Sequence, residues 1–225
     1  MTAATHPSKQ DVKVAVDAVI FTVRDGRLMT LLIQMNKRPF TGRWAFPGGL
    51  LGDRQTALAA VRRILREQTG IAPSYLEQLA TFDDPGRDPL GRVISMAYFA
   101  LIPDAGARLR TTAKYTDVRW WPVAGLPALA YDHREIAAAA LARLRAKLGY
   151  TNIAWSMLPR EFTFADLQEV YEAILGRGLD KRNFRKKMMS LGLIAPSGNL
   201  ARGGSHRPAA LFRFRDRRPS FMDIL

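Results

Sequence analysis

The stretch from Trp44 to Ile71 constrains the fold more than any other part of the chain. Pro47, Gly48 and Gly49 follow an apolar run, Leu28 to Met35, and punctuate a loop. From Thr56 to Thr69 the pattern turns helical, with Leu58, Val61 and Leu65, and Ala60 and Ile64, at spacings of three and four. Gly70 stands where a left-handed residue ends a helix. Upstream, Val14, Val16, Ala18, Ile20 and Thr22 alternate, and Arg24 to Arg27 supplies a turn, so residues 12–36 read as two strands. Downstream, Tyr75–Phe82, Val93–Ile102 and Val118–Trp121 read as strands, and Asp132–Leu148 as an alanine-rich helix ending at Gly149. This mixture predicts an α+β domain over residues 12–150, after a polar tail of residues 1–11. Residues 151–161, with Pro159, read as a linker, and residues 162–225 as a second domain.

The helix carries a box with a specific defect. The segment Gly49 to Ile71 resembles the Nudix box, G-x5-E-x7-R-E-U-x-E-E-x-G-U with U aliphatic. Gly49, Arg63, Leu65, Glu67, Gly70 and Ile71 match it, while Gln55, Ile64 and Gln68 stand where glutamates are expected. Helical positions 64, 67 and 68 share one face. Carboxylates there would converge on a divalent cation, which in the family activates water. Ile64 cannot ligate, Gln68 offers a neutral amide, and Arg54, Arg62 and Arg66 oppose a cation. The expectation is a Nudix-like mixed-sheet sandwich with no metal, no catalytic residue and no required cofactor. Such a domain can still hold the family's ligand, a nucleoside diphosphate joined to another group such as ADP-ribose. Lys37, Arg38 and Arg43 are candidates for its phosphates. Trp44 or Phe40 is a candidate for its base, with ordinary core packing equally open. Arg63 and Glu67 join the ligand set on the resemblance, although an i,i+4 ion pair accounts for them as well.

Charge points to the second half. The chain carries +14, with 34 Lys and Arg against 20 Asp and Glu, which favours polyanionic partners. Residues 176–218 hold 12 of the basic residues and only Asp180 and Asp216. Thr163 caps a helix with Asp166 at its third position, and Leu167, Val170, Tyr171 and Ile174 form its apolar face. After a glycine turn, Asp180 starts a helix from Lys181 to Leu191, closed by Gly192 and striped by Phe184, Met188 and Leu191. Lys181, Arg182, Asn183, Arg185 and Lys186 fall on its outer faces, where Arg and Asn suit base edges and Lys suits phosphates. A strand at Leu193–Ala195, a loop from Pro196 to Pro208 with Arg202, His206 and Arg207, and a strand at Ala210–Phe214 complete a winged helix-turn-helix.

Read together, the two halves resemble the NrtR family of Nudix-related transcriptional regulators. That resemblance implies a homodimeric repressor of NAD biosynthesis genes, bound to palindromic duplex DNA and modulated by ADP-ribose or NAD. The chain has no cysteine, which excludes disulfides, thiolate nucleophiles and zinc fingers. Its polar start and lack of a long apolar run predict a cytoplasmic protein with no membrane partner. Two rivals stand beside this: a pyrophosphatase whose metal has moved to Glu67 with Asp83, Asp84 or Asp88, and an interaction or RNA-binding protein.

Overall fold

The computed structural model describes residues 11–104, 115–201, 208–221 and 224. Its framework is a mixed sheet built around β1 (Lys13–Arg24). On one edge β1 runs parallel to β6 (Val93–Leu101), which pairs antiparallel with β5 (Tyr75–Phe82). Its other edge is shared. The first half pairs with β4 (Gly48–Leu50) and the second half with β2 (Arg27–Met35), which in turn pairs with β3 (Trp44–Ala45) and β7 (Tyr115–Pro122). The β1–β2 turn places Asp25 and Gly26 at φ 47° and 67°, the geometry of a two-residue hairpin.

Period-two alternation along β1 feeds two cores. Val16, Ala18 and Ile20 pack with Ala60, Val61, Ile64 and Leu65 of α1 (Ala57–Thr69). The Thr56 hydroxyl accepts from the Ala59 amide, and Gly70, at φ 71°, ends the helix. Leu58 is exposed rather than part of the buried stripe, because that stripe is narrower than the apolar pattern suggests. On the opposite sheet face, Val19 and Phe21 enter a core with Ile136, Ala140, Leu144 and Leu148 of α2 (His133–Tyr150). Gly149 does not end α2; the helix continues to Tyr150.

Most of the segment read as a linker, residues 151–158, is interior. Ile153–Met157 forms a 3₁₀ turn, and Ile153, Trp155, Met157 and Leu158 are buried in the same core as α2 and the second half of the chain. Polar groups hold it there. The Arg217 guanidinium donates to the carbonyls of Trp155, Leu158 and Pro159 at 2.9–3.0 Å, and Asn152 bonds the backbone of Asp216, Arg218 and Ser220.

The second half is a winged helix. The strand β8 (Phe162–Thr163) leads into α3 (Phe164–Leu175) through a Thr163–Asp166 capping box, and α4 (Lys181–Ser190) follows with the Asp180 carboxylate accepting from the Asn183 amide. The strands β9 (Ile194–Leu200) and β10 (Ala210–Phe214) make the wing, in the order β8-β10-β9. β9 runs on to Leu200, so the loop expected from Pro196 starts later. Pro196 itself takes a place in the ladder opposite Phe212. Phe164, Tyr171, Phe184 and Phe212 pack ring against ring at the centre. Bonds to the first half include the Gly26 amide donating to Glu169 at 2.7 Å and Arg145 of α2 donating to the Ile174 carbonyl of α3 at 2.9 Å.

Candidate functional site

The residues of β1 that precede Val19 on its face, Lys13, Ala15 and Asp17, line a cleft of about 340 Å³ at the start of α2. Ile33 and Met35 of β2, the β3–β4 connection and residues 87–91 close its sides. Its floor is a buried set of charges. Asp17 accepts from the Ser95 hydroxyl at 2.6 Å and lies 3.5 Å from the Arg87 guanidinium. Arg87 grips Asp132 with two bonds of 2.8 Å. The Phe46 amide donates to His133 Nδ1 at 2.9 Å, so the ring proton is on Nε2, which faces Asp17 at 3.6 Å. Burial alone would push the Asp17 carboxyl up, but His133, Ser95 and Arg87 outweigh it and hold it below the ordinary carboxylate value. Burial likewise lowers Arg87, and its bonds to Asp132 and the nearby Asp17 more than reverse that.

The mouth has the opposite character. Lys13, Lys37 and Arg38 are exposed, and none forms an ion pair among the described residues. Leu50 and Leu90 are exposed beside them. One wall carries Tyr131, held at φ 52°, a conformation rare for a bulky residue, with Phe40 packed behind it at 4.4 Å between ring centres.

The degenerate box does not fit a metal. Ile64 is in the core of α1, Gln68 Nε2 donates to the Gly48 carbonyl at 3.0 Å, and Glu67 pairs with Arg63 at 3.0 Å. Arg63 also reaches Gln55 at 3.4 Å. Among the described residues, no group of three or more His, Cys, Asp or Glu is placed to hold a metal ion.

On α4, Phe184 and Met188 are buried, and Lys181, Arg182, Asn183, Arg185, Lys186 and Lys187 are exposed. The Arg185 guanidinium lies 4.7 Å from the Phe164 ring centre and 5.6 Å from that of Phe212, so the side chain rests on the aromatic core while remaining exposed.

Two family models match the chain: the NUDIX domain over residues 12–144 and the NrtR DNA-binding winged helix domain over residues 154–214. The ADPR responsive transcriptional repressor NtrR of Acinetobacter baylyi is 37% identical over 204 residues, covering 88% of this chain and 80% of the relative. The chain belongs to the NrtR family of Nudix-related transcriptional regulators. The crystal structure of Shewanella oneidensis NrtR complexed with a 27mer DNA superposes with a TM-score of 0.78 at 34% identity, over 90% of this chain and 93% of that one. The Nudix domain of the same protein complexed with ADP ribose superposes with a TM-score of 0.56 at 35% identity, over 62% of this chain and 94% of that domain.

Within this NrtR-family fold the expected ligand residues separate. Lys37 and Arg38 line the cleft, and Phe40 stands against its wall residue Tyr131. Arg43 is exposed but outside the lining. Trp44 is a core residue, buried edge-on against Trp121 with ring centres 5.3 Å apart, so it has no free face for a base. Arg63 and Glu67 satisfy each other on α1, which packs on the other face of the sheet. Arg202, His206 and Arg207 lie outside the described residues. No described helix is long and apolar enough to cross a membrane. The floor set was missed. Its one visible trace was Asp17, an acidic residue inside an otherwise apolar strand.

Proposed function

We propose that this chain is a homodimeric transcriptional repressor whose α4 reads the major groove of a palindromic operator and whose cleft senses a nucleotide, ADP-ribose before NAD. The observation that carries the reading is α4 itself. It buries Phe184 and Met188 and turns Lys181, Arg182, Asn183, Arg185 and Lys186 outward. Arg and Asn match guanine and adenine edges, and two such helices in a dimer meet successive half-sites. The wing residues Arg202, His206 and Arg207 are assigned to the DNA backbone or minor groove. The relatives support both halves: the Acinetobacter baylyi protein is an ADPR responsive transcriptional repressor, and the Shewanella oneidensis protein is seen in complex with a 27mer DNA.

In the cleft, Lys13, Lys37 and Arg38 take the phosphates and Tyr131, backed by Phe40, takes an aromatic ring. The domain acts as a sensor rather than a hydrolase, since Gln55, Ile64 and Gln68 are each occupied structurally and Glu67 is bound to Arg63. Its targets are genes of NAD biosynthesis and its place of action is the cytoplasm.

Selection of random duplex DNA by the purified chain, with and without ADP-ribose, tests this. An enriched palindrome that changes in yield with ADP-ribose is the expected result. Binding with no sequence enrichment, falling uniformly with salt, overturns it.

A further inference from the structure

The floor of the cleft carries a carboxylate that phosphate recognition does not call for. Asp17 is 7% exposed, lines the cleft, and sits among Arg87, Asp132, Ser95 and His133. Two carboxylates there share one guanidinium. A phosphate pushed to that depth meets uncompensated negative charge, whereas Lys13, Lys37 and Arg38 wait at the mouth. The cleft is therefore polarised along its depth, with unpaired cations outside and, inside, two carboxylates gathered around one guanidinium.

Asp17 also has capacity to spare. Ser95 fills Oδ2 at 2.6 Å, but His133 Nε2, at 3.6 Å from Oδ1, stands beyond hydrogen-bond length. An ionised carboxylate offers about four acceptor positions, and leaving them empty in a buried place is costly. A Cβ on Gly48 would lie 2.0 Å from Asp17 Oδ1, so glycine at position 48 is what leaves this oxygen its place beside the cleft. What suits such a place is a small, neutral group rich in O–H donors.

We infer that Asp17 is a specificity-determining residue that accepts hydrogen bonds from the hydroxyl groups of a sugar at the inner end of the ligand. The ligand class is then a nucleoside diphosphate bearing a second, hydroxylated sugar, bound with its phosphates outward and that sugar inward. This rests on the nucleotide reading of the cleft and adds a direction and a selectivity to it. ADP, which lacks the second sugar, keeps its contacts at the mouth and loses those at the floor.

Calorimetric titration of the full chain with ADP and with ADP-ribose, in wild type and Asp17→Asn, tests the inference. Wild type is expected to prefer ADP-ribose by about tenfold or more, the worth of a hydrogen bond to a charged acceptor. Asp17→Asn is expected to lose most of that preference. A folded Asp17→Asn that keeps the full preference overturns the inference, as does one that loses both ligands equally. Should circular dichroism find the variant unfolded, ADP-ribose lacking the hydroxyls of its terminal sugar decides the matter on wild type. Falling to the affinity of ADP supports Asp17 as the acceptor, and binding as tightly as ADP-ribose overturns it. A wild type that binds neither ADP nor ADP-ribose overturns the nucleotide reading itself, a result distinct from equal binding of the two, which overturns only the sugar selectivity.

Discussion

The cleft floor and α4 both depend on charge, yet they handle it in opposite ways. At the floor, Asp17, Arg87 and Asp132 are taken out of water and bound to one another, so each is fixed by the others. Along α4 the cations are exposed and free of ion pairs among the described residues, so each is independent of its neighbours. Buried, paired charge defines a shape and is expensive to disturb. Exposed, unpaired charge contributes attraction, is screened by salt, and costs the fold almost nothing to remove. One region is fixed by its own pairs, and the other is left free to meet a partner.

Arg87→Ala strains this contrast most. It leaves two buried carboxylates without a counter-charge, and urea denaturation is expected to give a loss of about 3–5 kcal/mol. Arg182→Ala, by contrast, is expected to leave the denaturation midpoint unchanged and to cost about 1–3 kcal/mol in operator binding, with relaxed preference at one base pair if the side chain reads an edge. Lys186→Ala is expected to weaken binding to all sequences alike and to lower the salt slope by about one.

Acid sharpens the comparison from the other side. Because the folded Asp17 carboxyl lies below its ordinary value, the unfolded chain takes up that proton first. The resulting stability is complete above the ordinary carboxylate range and is lost as pH falls through it toward the lower folded value. Asp17→Asn is expected to flatten that limb of a pH–stability curve, and Arg182→Ala to leave it unaltered. The smallest effect belongs to Arg185, which has a share in both regimes. Resting on Phe164 and Phe212, it is expected to lose about 0.5–1 kcal/mol of stability on change to Ala, together with a loss of DNA affinity.

What the sequence disclosed follows the range of the interactions involved. The α1 helix with Thr56 and Gly70, the hairpin at Asp25–Gly26 and the capping box at Thr163 are written in residues a few positions apart, and all were legible. The winged helix was equally plain, since the Phe184–Met188 stripe and the basic positions around it follow helical spacing. The cleft floor was not, because Asp17, Arg87, Ser95 and Asp132 are brought together by strand pairing and a loop that no local pattern specifies. Pro159 suggested a linker, while the apolar Ile153, Trp155, Met157 and Leu158 beside it already spelled a buried segment. Trp44 read equally well as a base-stacking or a core residue, and what decides for the core is Trp121, its partner on a distant strand.

The helix α2 enters this molecule twice. Preceded directly by Asp132, which grips Arg87, it begins with His133 facing Asp17, and near its far end Arg145 bonds the last turn of α3. It is wall to the cleft and neighbour to the winged helix at once. Modular exchange between relatives therefore has no clean seam here. A chimera joined upstream of α2 imports half of a foreign cleft, and one joined downstream seats a foreign α3 against a native Arg145. New operator preferences in this scaffold are better sought by substitution along α4 than by transplanting the domain that carries it.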